Sequence, residues 1–107
     1  ILSNLLYKNL YLLHNQGKVL KENIMIEYRY DTQLLIEGNG LDEDKIHDYF
    51  MKNFKGDCLI AVGDSTLIKI HFHTNEPWQV LEYCASLGEI YDIVVEDMDR
   101  QSRGLKG

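Results

Sequence analysis

The stretch Leu67-Ile68-Lys69-Ile70-His71-Phe72-His73-Thr74 alternates apolar and polar side chains, which is typical of a β-strand with one buried face. Its isoleucines and its phenylalanine occupy one face. Because successive side chains of a strand point to opposite sides, His71 and His73 share the other face. Two imidazoles in this arrangement can hold one metal ion or one anionic group, and a nearby carboxylate or thiolate would complete a three-ligand site.

Other segments around this strand predict the order β-α-β-β-α-β. Strands are expected over residues 24–37, 58–62, 66–73 and 91–96, and helices from a cap at Asp42 to about Asn53 and from a cap at Asn75 to Gly88. This order is that of the ferredoxin-like fold, an α+β two-layer sandwich with an antiparallel four-stranded sheet and both helices on one face. A further N-terminal helix is expected over residues 2–15 from its leucine spacing. We therefore divide the chain into an N-terminal helix and linker (1–22), a ferredoxin-like domain (23–98) and a polar linker tail (99–107).

Length and composition restrict the classes of function. A chain of 107 residues, 45% apolar and 26% charged, suffices for one small domain with one core. A net charge of −6 argues against a nucleic-acid partner, and no apolar run approaches the roughly 20 residues of a membrane helix. The chain begins with neither Met nor a signal peptide, so we expect a cytoplasmic piece of a longer polypeptide. The unclustered Cys58 and Cys84 are expected to be buried, reduced thiols.

The first strand supplies the third group of the candidate site. If Leu34 and Ile36 face the helices, Asp31 lies on the opposite face. Right-handed crossovers place this strand beside the histidine strand in the middle of the sheet, where opposed Cβ atoms lie about 4.5–5.5 Å apart. Asp31, His71 and His73 are therefore predicted to form a site for zinc or another divalent transition metal, with a position left for water or a ligand.

Other polar residues are expected to have supporting or solvated roles. Arg29, Gln33 and Lys69 fall near the same predicted face and are expected to support the site or to bind an anion. His14 and His47 are expected on solvated surfaces. On spacing alone, two solvated histidines without a metal remain an alternative. The sequence contains no Gly-rich phosphate loop and no nucleophile elbow, so an enzyme confined to these residues is not expected.

Two stretches carry a family resemblance: Leu67–Tyr83, with the pattern H-x-H-T-N-x-P, and Leu87–Ile90. Tyr30–Leu34 and Val62–Asp64 fit the same pattern, so the likeness covers about residues 26–101. They resemble the middle domain of bacterial fatty acid kinases, large proteins with an N-terminal ATP-binding domain similar to that of dihydroxyacetone kinases.

The resemblance implies a place within a larger kinase. In that family the domain follows the ATP-binding domain, and the parent protein phosphorylates fatty acids presented by a DegV-type binding protein, which in some chains is fused to the kinase. ATP would then bind only in the parent's other domain, and the tail Arg100–Gly107 would be a linker to a fatty-acid-binding domain.

The resemblance also implies a metal. The family's middle domain carries a zinc site made of one Cys and an H-x-H pair; His71 and His73 match the pair, whereas the Cys position corresponds to Asp31. Because a carboxylate is a harder ligand than a thiolate, zinc is expected to bind more weakly, to exchange, or to give way to another metal. A site that has lost its metal is the remaining alternative.

Taken together, these observations predict a non-catalytic central module of a fatty-acid-kinase-like protein. It would link the ATP-binding kinase domain to a DegV-type fatty-acid-binding domain and offer His71, His73 and Asp31 as a metal or anion site. Two alternatives remain. One is a purely structural module whose open sheet face forms a homodimer or an interdomain contact, and the other is a small-ligand regulatory domain.

Overall fold

Four strands and three helices follow one another in the computed structural model, which describes residues 26–107. The strands are β1 (Tyr30–Glu37), β2 (Gly56–Gly63), β3 (Leu67–Thr74) and β4 (Glu89–Asp97), and the helices are α1 (Glu43–Asn53), α2 (Pro77–Leu87) and α3 (Met98–Ser102). The helix predicted over residues 2–15, with His14, lies outside the described residues. Among the helices that are described, none is long and apolar enough to cross a bilayer.

The strands form one antiparallel sheet in the order β2-β3-β1-β4. The histidine strand β3 and its neighbour β1 are therefore central, and β2 and β4 are the edges. With α1 connecting β1 to β2 and α2 connecting β3 to β4, this order is the ferredoxin-like arrangement. The predicted α+β two-layer sandwich is confirmed.

One apolar cluster joins the sheet to both long helices. Its buried members are Leu34, Ile36, Ile68, Ile70 and Phe72 from the central strands, Ala61 from β2, Ile46 and Phe50 from α1, and Val80 and Cys84 from α2. Cys84 is thus a buried thiol, as predicted. Because α1 and α2 contribute to the same cluster, they cover the same face of the sheet. The alternate residues of β1 and β3 must then point to the opposite face.

Helix α1 begins at the predicted cap. The Asp42 carboxylate accepts hydrogen bonds from the backbone N–H groups of Asp44 and Lys45 at 3.0 and 3.2 Å. These bonds satisfy donors that a helix start leaves without an intrahelical partner, and a cap of this kind contributes about 1 kcal/mol.

Helix α2 begins differently from our prediction. Asn75 is not its cap; the capping position is Glu76, whose side chain makes no capping hydrogen bond, and Pro77 occupies the first turn. The Asn75 side chain instead accepts from the backbone N–H of Arg29 and donates to the carbonyl of Glu27. It therefore ties the segment before β1 to the end of β3.

The outer boundaries also differ from expectation. The strand predicted from residue 24 begins at Tyr30, after the bend that Asn75 holds in place. The tail predicted as a linker from residue 99 begins instead within α3, where the Asp97 side chain accepts from the backbone N–H groups of Asp99 and Arg100. An Asp immediately before a short polar segment is a helix-start signal that the linker interpretation overlooked.

Candidate metal centre

The register of the two central strands brings together the three predicted ligands. Asp31 pairs with His73, and Gln33 pairs with His71. All four residues lie on the face opposite the helices and all four are buried. The potential ligand atoms of Asp31, His71 and His73 lie within 4.8 Å of one another. We call these three residues the inner triplet.

Both ring nitrogens of His71 face an acceptor. Nδ1 lies 2.8 Å from the carbonyl oxygen of Cys58, and since that oxygen can only accept, Nδ1 carries a proton. Nε2 lies 3.1 Å from Oδ1 of Asp31. A neutral ring would therefore turn its lone pair toward a carboxylate oxygen. The contact becomes favourable when a cation joins the two atoms, either a second proton on the ring or a metal ion between them.

The spacing of the inner triplet fits a tetrahedral ion. Two ligand atoms, each about 2.0–2.1 Å from zinc, lie roughly 3.3 Å apart at the tetrahedral angle, close to the 3.1 Å between Nε2 of His71 and Oδ1 of Asp31. Nε2 of His73 lies 3.8 Å from the same oxygen. Two imidazoles and one carboxylate suit zinc or a similar divalent ion and leave a fourth position for water or a ligand.

His73 is oriented much as His71 is. Its Nδ1 lies 3.5 Å from Oδ1 of Asp57 at the start of β2, so Nε2 is directed at Asp31. An acceptor that holds the remote nitrogen of a histidine selects the tautomer and the ring orientation needed for metal binding. Burial lowers the pKa of the His73 imidazole, outweighing the attraction of Asp31. The neutral ring is the form that binds a metal.

Asp31 is a buried carboxylate at the centre of the triplet. Gln33 donates from Nε2 to both carboxylate oxygens, at 3.2 and 3.3 Å. Burial is the largest single influence on this group and raises its pKa. Hydrogen bonds from His71 and Gln33, together with the charges of the imidazoles, outweigh burial, and the pKa of the Asp31 carboxyl lies below its usual value. The group is therefore ionised at neutral pH.

Of the residues expected to support the site, Gln33 contacts the triplet directly. Arg29 instead forms an ion pair with Asp97, with Nε 2.9 Å from both carboxylate oxygens, so its predicted role at the site is replaced by a structural one. Lys69 is exposed. His47 is also exposed, as predicted.

An irregularity in β2 supplies two residues that were not predicted to belong to the site. Asp57 pairs with His73 but Ile60 pairs with His71, so the segment Asp57–Ile60 carries one extra residue. We call this segment the β2 bulge. Within it, Cys58 has a φ of 54°, a left-handed conformation that costs a non-glycine residue roughly 1–2 kcal/mol. The predicted burial of Cys58 is wrong, because its side chain is exposed.

The β2 bulge packs closely against β3. A Cβ atom at Gly56 would collide with the carbonyl oxygen of His73 and the ring of Phe72, so only glycine allows this approach. Partial shielding from water and the neighbouring Asp57 carboxylate raise the pKa of the Cys58 thiol. Asp57, Cys58 and His73 form a second group of potential metal ligands within 4.8 Å of one another.

Comparison with known proteins identifies the family. Residues 27–105 match the FakA-like family, described as the middle domain of this type of fatty acid kinase subunit. Protein YloV of Bacillus subtilis (strain 168) is 27% identical over 90 residues, which are 82% of this chain and 16% of that protein. An uncharacterised protein of Staphylococcus haemolyticus is 32% identical over 82 residues, covering 73% of this chain and 14% of its own length.

A third relative agrees with these two. An uncharacterised protein of Staphylococcus aureus (strain USA300) is 31% identical over 91 residues, covering 81% of this chain and 16% of its own length. The chain thus spans no more than 16% of the length of these relatives. The family match extends over most of the chain and includes every strand and helix from β1 to α3. This chain therefore belongs to the family of FakA-like fatty acid kinase middle domains.

Proposed function

We propose that this chain is the non-catalytic central module of a fatty-acid-kinase-like protein and that its inner triplet binds zinc or another divalent transition metal. The observation that carries the metal proposal is the arrangement of the two histidines. Each has Nδ1 directed at an acceptor on the β2 bulge and Nε2 directed at Oδ1 of Asp31. This is how a protein prepares imidazoles to ligate an ion.

The role as a central module is supported by the family and by the short span of the chain within its relatives. A domain described as a middle domain has neighbours, and it covers no more than 16% of the compared proteins. We propose that the preceding domain binds ATP, that a DegV-type domain or partner supplies the fatty acid, and that the parent is a cytoplasmic phosphotransferase. The metal site would then stabilise the module at the contact between these domains.

A purely structural interdomain or dimerisation module is the second candidate. It is favoured by apolar side chains that remain exposed: Trp78 on α2 is 60% exposed, and Ile93 and Val95 on β4 are 46% and 38% exposed. Exposed apolar groups of this size on a small domain suit contact with another protein surface. Light scattering separates the two candidates, because a dimer that persists after chelation would favour the structural one.

Metal content tests the leading proposal. The 107-residue chain should be purified without added metal and analysed by plasma mass spectrometry beside His71→Ala/His73→Ala, Asp31→Asn and His47→Ala. We expect close to one divalent transition metal ion per chain in the wild type and in His47→Ala, since His47 is exposed on α1. The ion should be absent from the other two variants. A wild type without metal, or metal retained in Asp31→Asn and His71→Ala/His73→Ala, would overturn the proposal.

A further inference from the structure

The β2 bulge places two side chains of adjacent residues against one edge of His73. In a regular strand Asp57 and Cys58 would point to opposite faces of the sheet. The extra residue in the bulge and the left-handed φ of Cys58 break this alternation. As a result, ligand atoms of Asp57, Cys58 and His73 lie within 4.8 Å of one another. We call these three residues the outer triplet.

The outer and inner triplets use opposite edges of the same imidazole. Nδ1 of His73 lies 3.5 Å from Oδ1 of Asp57, whereas Nε2 lies 3.8 Å from Oδ1 of Asp31. The two sets also differ in exposure. The inner residues are all buried, whereas Asp57 and Cys58 are exposed. An ion at the outer triplet would therefore be in direct contact with solvent.

We propose that Asp57, Cys58 and His73 form a second metal site, which takes a thiophilic divalent cation. The set combines a thiolate, a carboxylate and an imidazole, and the thiolate gives it a preference for soft ions that the sulfur-free inner triplet lacks. Binding releases the thiol proton to solvent as the metal–sulfur bond forms.

The shared histidine makes the two sites mutually exclusive. A neutral imidazole offers one lone pair, so a tautomer that ligates through Nδ1 leaves Nε2 protonated and disables the inner triplet. The exposed site would then hold an ion next to the buried one and compete with it for His73. This proposal does not require the inner triplet to bind metal, because two of its three ligands are separate from that site.

Cadmium titration followed by ultraviolet absorption tests the outer site, because thiolate ligation produces a sulfur-to-cadmium charge-transfer band. The 107-residue chain carrying Asp31→Asn is the appropriate background, since it weakens the inner triplet and leaves the β2 bulge intact. We expect one cadmium ion per chain with the band. Cys58→Ser in the same background should abolish the band, and Asp57→Asn should weaken binding at least tenfold. Cys84, buried in the core, remains in every variant as an internal control.

Two results would overturn the proposal. One is the absence of the band in Asp31→Asn, and the other is a band that survives Cys58→Ser. Circular dichroism confirms that each variant is folded, and Asp57→Asn provides a second test if Cys58→Ser perturbs the bulge. Failure of this proposal is separable from failure of the proposed function. Metal lost in Asp31→Asn but not in Cys58→Ser belongs to the inner triplet, and the reverse belongs to the outer triplet.

Discussion

At the scale of single residues, the identity of residue 31 determines which ion the inner triplet prefers. Its Oδ1 is the atom to which Nε2 of His71 and Nε2 of His73 both point. A carboxylate there makes a harder ligand set than the thiolate that our family resemblance assigns to this position, so ions other than zinc can compete. The geometry of the histidines does not change with this substitution, because their other nitrogens are held by the β2 bulge.

Asp31→Cys should therefore tighten zinc binding. A thiolate at this position would replace a hard ligand by a soft one beside the same two imidazoles. We expect the Kd for zinc to fall about tenfold, equivalent to roughly 1.4 kcal/mol, in competition titrations against a chromophoric chelator. Asp31→Ala is the matched control and should bind more weakly than the wild type. Unchanged affinity in both variants would show that residue 31 does not ligate the ion.

The ion pair between Arg29 and Asp97 gives a prediction about pH. Hydrogen bonding from Arg29 outweighs desolvation and, with the N–H groups of Arg100 and Asp99, lowers the pKa of the Asp97 carboxyl. A carboxyl with a lower pKa in the folded state stabilises the fold above its unfolded pKa. That stabilisation is lost as the pH falls through the folded pKa. Arg29→Ala should raise the pKa of Asp97 toward about 3.9, as followed by carboxyl-carbon NMR.

Arg103→Ala is the control for this titration, because Arg103 pairs with Asp99 at 3.2 Å and not with Asp97. It should leave the titration of Asp97 unchanged. If Arg29→Ala and the wild type gave superimposable curves, the lowered pKa of Asp97 would have to come from its capping of α3 alone.

At the scale of elements, the central strands could be predicted from the sequence and the edge strands could not. Alternation in β1 and β3 predicts which face carries Asp31 and the two histidines, and the register brings them together. A bulge depends on how two strands pair, so the apolar run Cys58–Val62 shows no local sign of its extra residue. This is why Cys58 was expected to be buried and Asp57 was overlooked. Strand β4 contains a similar irregularity, with Asp92 at a φ of 50°.

The strained position in the β2 bulge can be tested through stability. Cys58→Gly should be more stable than Cys58→Ala by about 0.5–1 kcal/mol, because glycine avoids the left-handed penalty but loses more entropy on folding. Denaturant unfolding of the metal-free chain measures the difference. The same comparison at Asp92 should give the same sign, since its φ is also positive. Equal stabilities of the glycine and alanine variants at Cys58 would contradict a left-handed conformation there.

At the scale of the whole molecule, the core and the candidate metal centre lie on opposite faces of one sheet. The core is formed from both long helices and the sheet, and its residues follow the periodicity of the sequence. The inner triplet instead brings together residues that are far apart in the chain, Asp31 from β1 and two histidines from β3. Those ligands converge only when the central strands have paired, so binding of an ion is coupled to folding.

Zinc should therefore raise the thermal stability of the chain. An ion that binds only the folded state stabilises it by about 2.7 kcal/mol when the free ion is at about 100 times its Kd. For a domain of this size each kcal/mol raises Tm by about 4–8 °C, so we expect a rise of about 10–20 °C by calorimetry over the chain in a chelator. His47→Ala should retain the rise and Asp31→Asn should lose most of it. An equal rise in Asp31→Asn would mean that the ion stabilises the fold from a site other than the inner triplet.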